Sequence, residues 1–261
     1  MTLIDIGANL THESFRNDLD AVLDRADAQQ VNVLVVTGAS HDGSRDALDL
    51  ARRYPGRLYA TCGNHPHHAA EFTPDMARDF SQWCQAKEVK AVGETGLDYF
   101  RDLAPRSDQR DTFEAQLELA EAVGKPVFLH QRDAHDDFVA ILRAWRDRLT
   151  RAVVHCFTDT QAALHDYLDL DLHVGITGWI CDERRGHHLR DFIQDIPAGR
   201  LMIETDSPYL LPRDLRPRPK SRRNEPAYLS HIAQTVAECR GETLEALAAH
   251  TTATARAFFE I

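Results

Sequence analysis

The sequence predicts an α/β protein folded as one (β/α)8 barrel, with residues 1–261 forming a single domain. Three observations predict it. Short apolar, β-branched runs alternate with longer amphipathic stretches, the rhythm of a parallel sheet built from βαβ units. Eight such runs end near 9, 37, 63, 94, 130, 156, 176 and 205, so successive ends lie 20–36 residues apart, about one βα unit of chain. The length of 261 residues is close to the roughly 250 that an eight-stranded barrel needs. A doubly wound open sheet is the rival arrangement.

In chain order, the first run, 2–9, reads TLIDIGAN and is followed by a helical pattern over 14–29. VNVLVVT at 31–37 precedes a helix over 42–54, and RLYATCG at 57–63 precedes one over 74–86. KAVGE at 90–94 leads to a helix over 107–124, PVFLH at 126–130 to one over 134–148, and RAVVHC at 151–156 to one over 159–168. DLHVGI at 171–176 is followed by a helical pattern over 185–195, and RLMIET at 200–205 is the last run. Two further helices, near 225–239 and 242–258, are expected to pack on the barrel. The one shift in composition is PRDLRPRPKSRR at 212–223, which reads as a surface loop rather than a domain boundary.

Hydrophobic residues make up 43% and charged residues 27%, a globular balance that excludes a disordered or fibrous protein. Forty-one acidic against 30 basic residues give a net charge of −11, so bulk charge does not draw this chain to duplex nucleic acid; such contact needs a local basic patch or a metal. Five cysteines (Cys62, Cys84, Cys156, Cys181 and Cys239) form no CxxC pair, which argues against a disulfide framework or zinc ribbon and fits a reducing cytosol. The opening residues run straight into the first strand without a basic and apolar leader, and no window reaches 18 apolar residues. The expectation is a cytoplasmic monomer with no membrane contact and no obligate protein partner. Neither GxxxxGK[ST] nor GxGxxG occurs, so no organic cofactor is expected.

Polar residues gather at one place in each repeat. Thr37 closes the second run; Asn64, His65 and His67 follow the third; Glu94 closes the fourth with Asp98 behind it; His130 and His155 close the fifth and sixth; Glu204 and Asp206 close the last. In a barrel the C-terminal strand ends converge on one mouth, where the active site sits. Glu94, His130, His155 and Asp206 are far apart in sequence but would meet there. Two imidazoles and two carboxylates are the ligand set of a divalent metal centre in a hydrolase. A lone His at a strand end is commonly structural and a lone Asp before Ser-Pro commonly a turn residue. Four such residues after four apolar runs are not explained by capping.

The loop 212–223 carries Arg213, Arg216, Arg218, Lys220, Arg222 and Arg223 against one acid, Asp214. With Arg184 and Arg185 after the seventh run, it reads as a phosphate-capturing surface on an otherwise acidic protein, the alternative being a solvated loop kept extended by Pro212, Pro217 and Pro219. Barrel phosphate sites often use these two loops. Tyr99, Phe157, Trp179 and Tyr209 lie just past strand ends, where unpaired bases can stack on aromatic rings, or where such rings simply pack the loops.

GNHPHH (63–68), VGETGLDYF (92–100), FLHQRDAH (128–135), VVHCFTDT (153–160), VGITGWICDERRG (174–186) and IETDSPYLLPRDLRPRPKSRRNEPAYL (203–229) resemble, in order, the successive motifs of the TatD family of metal-dependent deoxyribonucleases. The resemblance spans nearly the whole chain. It implies a TIM-barrel hydrolase of the amidohydrolase-like type, with magnesium-dependent 3′–5′ exonuclease action on single-stranded DNA and RNA in clearing damaged DNA. It implies that Glu94, His130 and His155 ligate the metal, that Asp206 ligates it or acts as the base, and that His65 lies near the scissile phosphate. One departure stands out. Many members begin with an Asp-x-His-x-His motif, whereas here Asp5 is followed by Gly7 and Asn9 at the histidine places. One versus two metals stays open. Fewer histidines favour magnesium, or manganese, over zinc. A hydrolase of other esters or amides, such as an aminoacyl-tRNA deacylase, is the alternative enzyme reading, and a binding protein that has lost its metal is a third.

Overall fold

Each predicted run becomes a strand in the computed structural model, which describes residues 2–261. The strands are β1 Leu3–Ala8, β2 Val31–Val36, β3 Leu58–Cys62, β4 Val89–Asp98, β5 Val127–Arg132, β6 Ala152–Val154, β7 His173–Ile176 and β8 Leu201–Ile203. They form one eight-stranded sheet in the order β1 to β8, and β1 meets the chain after β8 through a parallel bridge between Ala8 and Ser207. Described pairs are parallel, for example Leu3 with Val31, Cys62 with Val92, Val127 with Ala152 and Val174 with Leu201. Sequential parallel order with helices between strands is the (β/α)8 barrel fold. Strands buried on both faces read as continuous apolar runs, which is why VNVLVV and AVV show no alternation.

Contacts sort the chain into two units. One comprises the stretch ending at Val36 together with Cys156–Leu164 and Val174–Ile261. In it α1 (Leu19–Ala28), α8 (Leu229–Arg240) and α9 (Leu244–Phe259) flank the strands, and α9 packs on β1 and β8. The other comprises Thr37–His155 and His165–His173. It holds α2 (His41–Arg53), α3 (Pro74–Trp83), α4 (Arg106–Val123) and α5 (His135–Trp145), with Phe113 stacked on Phe138 at 5.4 Å. Ser40 and Thr73 cap α2 and α3 by accepting the N–H groups of Gly43 and Met76.

Three expectations are corrected. The helix expected over 14–29 starts only at Leu19, after a short 3-10 turn at Glu13–Phe15. Asp18 precedes it but does not cap it; its carboxylate is held instead by Arg223. The helix expected over 159–168 forms as α6 (Gln161–Asp169), whereas the one expected over 185–195 is reduced to α7 (Leu189–Phe192) between turns. Gly186 sits so close to the Trp179 carbonyl that a Cβ there would collide with it, and that tight packing replaces the first helical turn. The fourth strand runs past Glu94 to Asp98.

Candidate metal centre

The extra length of β4 builds the site. Alternation along a strand puts Glu94, Gly96 and Asp98 on one face. Gly96 pairs in register with His130 on β5. Its φ is +141°, and a Cβ there would strike the His130 carbonyl oxygen. Only glycine gives β4 this approach to β5. The two carboxylates that flank Gly96 therefore reach the His130 ring from both sides: Nδ1 lies 3.1 Å from Glu94 Oε1 and Nε2 lies 3.2 Å from Asp98 Oδ2.

Two more imidazoles close on the same Glu94 oxygen, His155 Nε2 at 2.7 Å and His65 Nε2 at 3.4 Å. His67 Nε2 is 2.9 Å from Asp98 Oδ2. Glu94, Asp98, His65 and His155 are buried. Burial pushes the Glu94 carboxyl upward, but the surrounding imidazoles, His155 foremost, outweigh it and hold it well below the usual range. Asp98 is likewise pushed up by burial and carried well below its ordinary value by hydrogen bonds from His130 and His67. Burial lowers His130, yet its bonds to Asp98 and Glu94 raise it overall. Burial holds His65 well below its ordinary value. Its Nδ1 accepts the His67 N–H at 3.1 Å, so the proton of the neutral ring sits on Nε2 and faces the site.

These residues fit a divalent ion. Imidazole nitrogens and a carboxylate oxygen converge on one buried point, and ligand atoms of His65, Glu94 and His130 all lie within 4.8 Å of one another. Asp98 takes one nitrogen of His130 and Glu94 the other; the Asp98 contact is the carboxylate–histidine arrangement that orients metal ligands, and the nitrogen facing Glu94 would be the one to meet an ion. A second set, His65, His67 and Asp98, is equally close. Asp98 and His67 were not among the expected site residues. The i, i+4 spacing of Glu94 and Asp98 and the His65-x-His67 pattern were the signals for them.

Asp206 belongs to the other unit. It follows β8 with φ at +53°, its N–H donates to the Gly7 carbonyl at 2.8 Å, and its Oδ1 accepts the Asn9 side-chain amide at 2.9 Å. Gly7 and Asn9, at the histidine places, thus hold Asp206 in orientation. Beneath them Asp5 is fully buried against Thr205, whose N–H and hydroxyl lie 2.9 and 2.6 Å from it, and burial pushes its carboxyl up to about 7.

The expected phosphate arginines fall into two kinds. Arg184, Arg185 and Arg213 surround Asp182, with Arg185 Nε 2.9 Å from it and the guanidinium of Arg185 4.2 Å from the Trp179 ring. Burial raises Asp182, but the Arg184 backbone N–H and the guanidiniums of Arg185 and Arg213 hold it below its ordinary value. Arg213 also stands 3.5 Å from Glu183, so three cations face two carboxylates and one positive charge is left over; all three side chains are at least 39% exposed. Arg222 is exposed. Arg223 is a structural clamp instead. It bonds both oxygens of Asp18 at 2.8 and 2.7 Å and Glu225 at 2.7 Å, tying the loop to the N-terminus of α1. The aromatic expectations also divide: Phe157 and Trp179 are buried and the Tyr99 hydroxyl donates to Asp137 at 2.7 Å, while Tyr209 is exposed. Cys181, Asp214 and His231 also cluster, but His231 already bonds Asp214 at 2.7 Å, Arg190 stands 3.8 Å from that carboxylate, and the buried thiol is pushed up to about 12 by desolvation.

A (β/α)8 fold with imidazoles and carboxylates gathered at successive strand ends defines a metal-dependent hydrolase of the amidohydrolase-like type. The model of the TatD-related DNase family matches residues 4–260, and the chain belongs to that family. It is 49% identical over 259 residues to the 3′–5′ ssDNA/RNA exonuclease TatD of Erwinia billingiae, covering 99% of both chains. It is 48% identical over 257 residues to the protein of the same name from Pantoea ananatis, covering 98% of this chain and 99% of that one. Among solved structures, the crystal structure of the TatD homologue YJJV from Escherichia coli superposes with a TM-score of 0.90 at 27% identity, covering 99% of this chain and 98% of that one. No helix among the described residues is long and apolar enough to cross a membrane.

Proposed function

We propose that the protein is a metal-dependent exonuclease that removes nucleotides from the 3′ ends of single-stranded DNA and RNA. The observation that carries this reading is the convergence of three imidazoles on one Glu94 oxygen, with Asp98 orienting His130 behind it. Near half identity over the full length to proteins named for that activity supports the substrate class and polarity.

Glu94, His130 and His155 would hold the ion, magnesium or manganese, which when bound supplies Lewis-acid polarisation of the phosphate and an acidified water. His65 presents an Nε2–H donor suited to a phosphate oxygen, since its neutral tautomer is fixed by the His67 N–H. Asp206, whose carboxylate accepts the Asn9 amide, would be the general base for the attacking water. Arg184, Arg185, Arg213 and Arg222 would hold the polyanion, and Arg223 keeps the loop that carries Arg213 and Arg222 in place. The test is release of nucleotides from 5′- and 3′-labelled single strands with magnesium, with and without EDTA. Stepwise shortening from the 3′ end that EDTA stops is expected. Release from the 5′ end, or equal degradation of a circular strand, would contradict it.

A further inference from the structure

Just beyond the carboxylate that bridges His67 and His130, the chain makes a turn whose side chains have no place in the chemistry above. Residues 99–105 join β4 to α4. The loop is held firmly. Asp98 Oδ1 accepts the Arg101 N–H at 2.7 Å, and the Asp98 carbonyl accepts the Asp102 N–H at 3.2 Å. Gln109 reaches up from α4, accepting the Asp98 N–H and donating to the Ala104 carbonyl, both at 2.9 Å. On this fixed turn Phe100 is 54% exposed and Leu103 67% exposed. Burying a Phe side chain is worth about 1.5–3 kcal/mol, so an ordered loop that holds one half in water forgoes part of that gain.

The ring has cationic company. The guanidinium of Arg132 lies 4.3 Å from the Phe100 ring centroid and that of Arg101 lies 5.9 Å away. Arg132 stands two residues after His130 and pairs in register with Asp98, while the Tyr99 N–H donates to its carbonyl at 2.9 Å. Two residues of strand span about 7 Å. The aromatic and its arginine therefore sit one short step along β4 and β5 from the imidazole–carboxylate cluster. On a chain of net charge −11 this is a local cationic and aromatic spot beside the proposed metal ligands.

We propose that Phe100, backed by Arg132 and Arg101, is a stacking platform for an unpaired nucleobase of the strand whose phosphate reaches the cluster. The proposal rests on the nuclease reading. An aromatic face accepts any base, and guanidiniums beside it meet the phosphates that flank that base. A paired base has its faces covered by its neighbours in the duplex, so the platform selects for single strands. Tyr99, adjacent in sequence, cannot serve: its hydroxyl is bonded to Asp137 and Arg106 stands 4.1 Å from its ring centroid.

The experiment measures two quantities on the full-length protein: anisotropy of a labelled single-stranded oligonucleotide, and KM and kcat for its degradation with magnesium. Wild type is compared with Phe100→Ala, Phe100→Leu and Phe100→Trp, on normal oligonucleotides and on ones with abasic terminal positions. Loss of one stacked base predicts that Phe100→Ala weakens binding and raises KM about 5- to 150-fold with kcat nearly unchanged. Phe100→Trp restores both, and Phe100→Leu, apolar but without a π face, does not. On the abasic strand wild type falls to the level of Phe100→Ala and the variants no longer differ. Equal binding by Phe100→Leu and wild type, or an undiminished Phe100→Ala defect on the abasic strand, overturns the platform. If wild type binds the normal strand better than the abasic one without cutting either, the nuclease reading falls and the platform stands. If it cuts both equally well, the platform falls and the nuclease reading stands.

Discussion

The ends of β3 to β6 and the basic loop at 212–223 both carry charged residues next to strands, yet they are built differently. At the strand ends each functional side chain is fixed by the backbone ladder beneath it, and its partners are other functional side chains: Glu94 meets His65, His130 and His155. In and around the loop the arginines are fixed by acids that are not part of the cluster, as Asp182, three residues away, holds Arg185 and Asp18, about two hundred residues away, holds Arg223. Side chains of the first kind are those we propose for the chemistry. Those of the second kind divide between ligand capture and structure, and only the partner list tells which.

The comparison breaks first at the cluster if it is wrong. Glu94→Gln or His130→Ala is expected to cut kcat by at least about 100-fold, since even groups that only orient metal ligands are worth 10–100-fold. The fold should survive, with a circular dichroism spectrum like that of wild type. A variant that keeps wild-type turnover would remove the site from this place. Asp206→Asn should follow, lowering kcat by about 10²–10⁴-fold with little change in strand affinity, as expected for a lost general base. Asn9→Ala, which removes only the amide that orients Asp206, should give a smaller loss in the same parameter.

The loop sharpens the contrast at lower amplitude. Replacing Arg184, Arg185 and Arg213 together by Ala should flatten the salt dependence of single-strand binding by about 2 in the log–log slope, at roughly 0.7 per phosphate contact. Arg223→Ala should leave that slope unchanged and instead lower stability by about 1 kcal/mol in denaturant unfolding, the range of a partly exposed ion pair. If the two variants behaved alike, the division of the arginines would be wrong.

Away from both regions, an effect confined to acid pH concerns His173, buried at the start of β7. Burial lowers its pKa from 6.5 to about 4, against a hydrogen bond with the Ala152 backbone that raises it. Its folded pKa lies below the unfolded one, so the unfolded chain binds the proton first as pH falls. The stability it contributes is fully present above about pH 6.5 and is lost progressively toward pH 4. His173→Gln should flatten the acid limb of stability against pH in that window; an unchanged limb would mean that His173 is protonated alike in both states.

Much of the fold was legible because a parallel sheet buried on both faces writes itself as apolar runs, and all eight were placed in order. The boundaries that failed share a cause in tertiary contacts. The 14–29 stretch looked helical throughout, but Asp18 is held by Arg223, about two hundred residues away, and starts no helix before Leu19. The length of β4 was concealed: the run was read as ending at Glu94, yet Gly93 within it and Gly96 beyond it both let β4 lie against β5. That misreading hid Asp98, because a residue placed in a loop has no strand face to share with Glu94. Glu94, His130, His155 and His65 were legible as polar residues closing apolar runs, and the structure gathers all four. The roles of the arginines were not, because a charge run does not reveal which acids will meet it.

The central claim is that the cluster around Glu94 takes up a divalent ion. Manganese binding to metal-stripped protein, followed by electron paramagnetic resonance and repeated with Glu94→Gln and with Arg223→Ala, tests it without relying on turnover. The account predicts saturable binding by wild type and by Arg223→Ala, competed by magnesium, and its loss in Glu94→Gln with the fold intact. Equal manganese binding by Glu94→Gln and wild type would contradict it.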